Sequence, residues 1–152
     1  MNGGANFTHK AQDAILSAQS AASEKGQQQI DALHLLYSLL SQEGSVVLNL
    51  LQKTGIDIEN MKRKTGLALD KIPVINSPQA FGQFYLTQDM AKVLDRARSE
   101  AMKMGDEFIS VEHLFLALLD TETKAKEILD KTNFLQPGGG VTSLEIGKLD
   151  YE

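Results

Sequence analysis

A chain of 152 residues is long enough for one compact domain that buries about 70% of its unfolded surface. Its formal net charge of −5 excludes a general nucleic-acid binder, because neutralising phosphates takes clustered Lys and Arg, and only Lys62, Arg63 and Lys64 are consecutive. The absence of cysteine excludes a disulfide framework and a thiolate metal site, and fits a reducing compartment such as the cytoplasm.

The opening MNGGANFTHK has no apolar h-region, so no signal peptide is read. Residues 1–6 are small and polar and expected to be disordered. No apolar run reaches the ~20 residues of a membrane span, so no membrane partner is expected. Many Ala and Leu, three prolines and few aromatics favour helix.

Thr8 is the expected N-cap of a first helix, whose stripe is Ala11, Ala14, Ile15, Ala18 and Ala22. A stripe of alanine lets another helix approach closely. Gly26 ends it as a left-handed C′ residue. Ile30 enters the core and Asp31 caps a second helix. Its Ala32, Leu35, Leu36, Leu39 and Leu40 make an apolar face. A third helix carries Val47, Leu50 and Leu51 and stops near Gly55. A fourth, from about Asp57 to Lys71, carries Ile58, Met61 and Leu69, with Pro73 as a stop.

Residues 72–86 read as a connector with Phe81, Phe84 and Tyr85. These aromatics either pin the connector onto its neighbours or edge an apolar groove. Thr87 then caps a fifth helix with the stripe Met90, Leu94, Ala97, Ala101 and Met104, which Gly105 ends. Ser110 caps a sixth, carrying Val111, Leu114, Phe115, Leu118 and Leu119. Ile128 and Leu129 follow in a seventh. After Phe134 the sequence QPGGGVTSLEIGKLDYE reads as a linker or chain end.

These elements are one unit written twice. Residues 7–40 align with residues 86–119 without a gap. Identities fall at Thr8/Thr87, Ala18/Ala97, Ser20/Ser99, Ala22/Ala101, Gly26/Gly105, Ile30/Ile109, His34/His113, Leu35/Leu114, Leu39/Leu118 and Leu40/Leu119. Ile128 and Leu129 match Leu50 and Leu51 after a one-residue slip. Two copies of a unit too small to bury its own apolar face are expected to pack together. The predicted fold is all-α: two pseudo-symmetric four-helix-type repeats packed on each other, the last helix of the second missing or altered. The units are residues 7–71, a linker 72–86, residues 87–135 and a tail 136–152.

Catalytic signatures are sparse. His34 and His113 share one repeat position in the first turn of an apolar helix, where a bond to nearby backbone is expected. There is no HExxH spacing, no GxSxG elbow and no GxxxxGK[ST] loop. No metal or cofactor is therefore expected on this chain. Asp106, Glu107 and Glu112 flank the Gly105 turn, either as solvated acids near a helix N-terminus or as recognition charges. Lys92, Arg96, Arg98 and Lys103 are expected to form a wet face with nearby acids.

The runs FTHKAQDAILSAQSAASEKG, IDALHLLYSLLSQEGS and GDEFISVEHLFLALL resemble the Clp N-terminal domain, the double repeat at the front of Clp/Hsp100 unfoldases. The resemblance covers roughly Ala5 to Phe134. IDALHLL, QEGS and GDEFIS lie nearer the ClpB-type disaggregase branch. The ClpC-like branch tends to carry Glu before His in both repeats, whereas here Leu33 precedes His34 and only Glu112 precedes His113.

The resemblance implies a module that catches unfolded or aggregated polypeptide, or an adaptor, and hands it to ATPase rings of a parent that is hexameric and uses ATP and Mg. It implies substrate handling by Thr8, Asp106 and Glu112, and an apolar groove at the repeat seam with Leu94 in its wall. His113 replaces a groove leucine of the relatives. Phe84, Tyr85 and Leu86 are candidates for the rim by position. The isolated domain is expected to be monomeric. Other readings are an adaptor-docking regulatory domain of a ClpC-like ATPase, a stand-alone Clp-repeat adaptor, and a small helical enzyme, which would need a polar cluster the sequence does not offer.

Overall fold

The computed structural model describes residues 6–74 and 84–131. The expectations for residues 1–5, for Phe81 and for the tail 136–152 lie outside them. Among the described residues there are seven helices: α1 (His9–Glu24), α2 (Ala32–Ser41), α3 (Val46–Lys53), α4 (Ile58–Leu69), α5 (Gln88–Lys103), α6 (Val111–Asp120) and α7 (Lys124–Lys131). Two short strands, β1 (Gln29–Ile30) and β2 (Tyr85–Leu86), accompany them. No described helix is long and apolar enough to cross a membrane.

The helices begin where side-chain oxygens are available to their free amides. Thr8, Asp31, Ser45, Asp57, Thr87 and Ser110 are the N-caps of α1 to α6. Thr123 Oγ1 accepts from Lys126 N–H at the start of α7. Gly26 and Gly105 close α1 and α5 at φ of 70° and 73°. That left-handed conformation is strained for a residue with a Cβ.

The two repeats obey one contact rule. Within each, the central helix lies on the first helix (α2 on α1, α6 on α5) and on the third (α2 on α3, α6 on α7). Across the seam, α1 meets α6 as α2 meets α5, and α3 meets α6 as α2 meets α7. α4 covers α2 and α7. Among the described residues the second repeat has no counterpart of α4.

Crossing of the central helices changes the expected burial. The sequence assigns each one an apolar face. Every residue of α6 from Val111 to Leu119 is buried, and α2 is buried from Ala32 to Leu40 except Tyr37. Leu33, Ser38, Leu116 and Ala117 therefore join the core. The partner repeat supplies this cover on α6, whereas on α2 the same repeat's α4 contributes as well and Ser38 Oγ donates to Ala14 O of α1. Phe115 is fully buried, which contributes about 1.5–3 kcal/mol relative to an exposed ring. On α5, Val93 is fully buried while Leu94 and Met104 are half-buried, so the stripe is rotated slightly from the one read in the sequence.

The strands revise the connector. β1 and β2 pair in parallel, Gln29 with Tyr85 and Ile30 with Leu86. The end of residues 72–86 is thus a sheet edge at the seam. A second parallel bridge joins Phe7 to Ile109. The repeat offset carries Phe7 onto Leu86 and Ile30 onto Ile109, so the two pairings are images of each other. Thr8 N–H donates to Ile109 O at 3.0 Å, and Thr87 N–H donates to Ile30 O at 3.1 Å. Each repeat lends its leading edge to the other. Asn6, placed by the sequence in the disordered N-terminus, accepts from Ile109 N–H at 2.7 Å.

Candidate recognition site at the repeat seam

The histidines hold the seam turns in shape. Asp31 N–H donates to His34 Nδ1 at 2.9 Å, so the proton sits on Nε2, which donates to Gln27 Oε1 at 2.7 Å. Gln27 passes the tie on, its Nε2 donating to Leu69 O and Ile72 O at the end of α4. Burial, the largest influence, lowers the pKa of His34; Asp31 opposes it and Lys25 adds to it.

The second repeat repeats the device with a charge in it. Ser110 N–H donates to His113 Nδ1 at 2.9 Å, and Nε2 meets Asp106 Oδ2 at 2.9 Å. Asp106 stands where Gln27 stands in the first repeat. Both central helices carry a capping box completed by histidine at its third residue. Sequence reasoning missed Gln27, although the ungapped alignment sets it opposite Asp106.

The residues implied for client handling fall in different environments. Thr8 caps α1, its Oγ1 accepting from Ala11 N–H at 3.1 Å. Its backbone bond to Ile109 brings it to the turn between Gly105 and α6. Asp106 is partly exposed and occupied by His113. Glu112 was expected among solvated or rim charges, but it is 1% exposed. Residues 6–8 are bonded to Ile109, just ahead of it, and α1 packs on α6. His113 is fully buried. It cannot furnish a groove wall without opening of the turn, and its ring serves Ser110 and Asp106.

Apolar surface remains at the seam. Tyr85 is 58% and Leu86 52% exposed on β2, beside half-buried Phe84. Phe108 is exposed next to Ile109, on the image of β1, and sequence reasoning overlooked it. Only its place before the repeated Ile would have singled it out. Leu94 is half-buried on α5 and packs against the core. Three of the four basic residues expected on the wet face of α5 pair with acids: Arg96 binds Glu100 and Asp120, Arg98 binds Asp95, and Lys103 reaches Glu100, while among the described residues Lys92 forms no ion pair. Among the described residues, no three His, Cys, Asp or Glu are gathered to hold a metal.

Fold and seam together define an all-α double-repeat module with apolar side chains left open where the repeats exchange edges. Residues 6–132 match the Clp repeat (R) N-terminal domain, and the chain belongs to that family. It is 41% identical over 123 residues to the chaperone protein ClpB of Rickettsia felis; the match takes in 81% of this chain and 14% of that relative. The chain thus spans about a seventh of the curated relative's length. In fold it is similar to the Hsp104 N-terminal domain from Candida albicans, with a TM-score of 0.76 at 21% identity, covering 93% of this chain and 87% of that one. It is also similar to the N-terminal domain of the ClpV1 ATPase from E. coli EAEC, with a TM-score of 0.75 at 21% identity, covering 95% and 83%.

Proposed function

We propose that this chain is the client-recognition module of an ATP-dependent Hsp100 disaggregase, binding exposed hydrophobic segments of unfolded or aggregated protein at the repeat seam. The observation that carries this reading is the exposure of Tyr85 and Leu86 on a strand whose backbone is fixed by β1. Apolar side chains held open on a rigid edge present a surface without an ordering cost. In this reading Leu94 on α5 adds apolar surface, and Thr8 and Asp106, near the image pairing of Phe7 with Ile109, add polar contacts to the client. Such a surface selects for hydrophobicity rather than sequence. Weak binding suits a receptor that must release its client to a translocating ring, which in this reading is the ATP- and Mg-dependent part of a longer parent.

The reading is tested by titrating the chain with a fluorescent unfolded protein and with its folded form. Selective, salt-tolerant binding to the unfolded form, weakened by Leu94→Arg in a variant that keeps its helical circular dichroism, is the expected outcome. Equal binding by that variant, or binding to neither form, would remove the seam as a client site and favour adaptor docking.

A further inference from the structure

A cleft of about 450 Å³ opens within the first repeat, between the end of α2, α3 and the start of α4. Its apolar lining is Leu40, Leu48, Ile56 and Ile58. Leu40 is buried and the other three are half-buried, so hydrocarbon surface remains reachable from outside. The carboxylates of Glu43, Asp57 and Glu59 also line it, against the single ammonium of Lys62. Asp57 Oδ1 accepts from Asn60 N–H as the cap of α4 at the rim. Among the described residues, Glu43 and Glu59 form no ion pair. Lys62 stands 5.6 Å from the Tyr37 ring centre, where the π-face attracts it. The cleft is a mixed slot, with an aliphatic floor among polar side chains and a surplus of negative charge.

On a second copy of this chain, the face beside α5 offers no match. The cleft beside α5 is lined by Lys92, Arg96 and Lys103 but also by Asp95, Asp120 and Glu122. Arg96 is already bound to Glu100 and Asp120. The cations there carry no surplus to offer.

We propose that the α2–α3–α4 cleft docks a basic polypeptide segment, one aliphatic side chain seated on Leu48, Ile56 and Ile58 while flanking Lys or Arg face Glu43, Asp57 and Glu59. The apolar contact supplies affinity. The exposed charges, individually weak, supply selectivity and faster encounter. This surface lies apart from the seam strands and goes beyond the seam reading, giving the module a second contact that discriminates by charge.

The test uses three fluorescent peptides on the whole chain: alternating Leu and Lys, alternating Leu and Glu, and alternating Ser and Lys. The Leu/Lys peptide is expected to bind at least about tenfold more tightly than either control, and to weaken as salt rises. Glu43→Lys/Glu59→Lys, at two exposed positions, is expected to abolish that preference while leaving the melting curve and capture of an unfolded client unchanged. Leu94→Arg is expected to do the reverse. Equal binding of the Leu/Glu peptide, or unchanged Leu/Lys binding by the double variant, would overturn the proposal. So would loss of Leu/Lys binding in Leu94→Arg alone, which would assign the peptide to the seam. A concentration-dependent dimer dissolved by the double variant would overturn it too, by making a second copy the occupant.

Discussion

The Thr87 hydroxyl donates to Asp31 Oδ1 across the two repeats at 2.6 Å. Thr87 Oγ1 also accepts from Met90 N–H, and Asp31 Oδ2 accepts from Leu33 N–H. The residue that starts α5 is therefore tied to the residue that starts α2. Thr87→Ala and Asp31→Ala are each expected to lose about 1–2 kcal/mol of stability. Urea unfolding of the double variant should fall short of their sum by about 1 kcal/mol. Strict additivity would mean that the two caps act independently.

Asp106 can be separated into a fold role and a client role. Its oxygen meets His113 Nε2, in the place of Gln27 Oε1 on His34. Asp106→Asn keeps an acceptor there and is expected to change stability by less than about 1 kcal/mol, whereas Asp106→Ala strands a buried ring N–H and costs about 1–3 kcal/mol. If client binding falls equally in both variants while only Asp106→Ala loses stability, the charge serves recognition and the oxygen serves the fold.

His34 imposes a pH dependence. Its folded pKa is lowered, chiefly by burial, so the unfolded chain takes up the proton first as pH falls. The stability it contributes is full above the ordinary histidine value and is lost as pH drops below it, at no more than about 1.4 kcal/mol per pH unit. Urea midpoints at pH 7.5 and pH 5.5 should show a decline that is smaller in His34→Asn. An equal decline in the variant would place the proton uptake elsewhere.

The all-round burial of α6 makes an unusual demand. Leu116 lies outside the apolar face read from helical spacing, yet it is 1% exposed. Leu116→Asp is expected to cost more than about 3 kcal/mol and to reduce the folded fraction at 37 °C. On a one-faced surface helix the same change would be nearly silent. Thermal denaturation distinguishes the two.

Tyr85→Ser/Leu86→Ser removes apolar surface that is already more than half exposed. The melting temperature is expected to hold within a few degrees, because surface changes are usually within about 0.5 kcal/mol. Client affinity should drop several-fold in a fluorescence titration. Retained affinity would shift the contact towards Phe108 and Leu94.

Local chemistry was legible in the sequence wherever one residue decides the outcome. Thr8, Asp31, Thr87 and Ser110 cap the helices they precede, and Gly26 and Gly105 take the left-handed conformation at the same point of each repeat. The all-α class, the repeat itself and the core stripes of α1 and α2 followed from spacing alone, because side chains three and four apart share a helix face whatever surrounds them. Spacing says nothing of what lies against the opposite face. Burial of Glu112 and Leu116, the half-exposure of Leu94, and the exchange that pairs Phe7 with Ile109 and Leu86 with Ile30 were decided by the docking of one repeat on the other. Two-residue strands carry too little pattern to announce themselves. They form because each repeat exposes unpaired backbone at its leading edge, and the pseudo-two-fold packing sets that edge against the free edge of its twin.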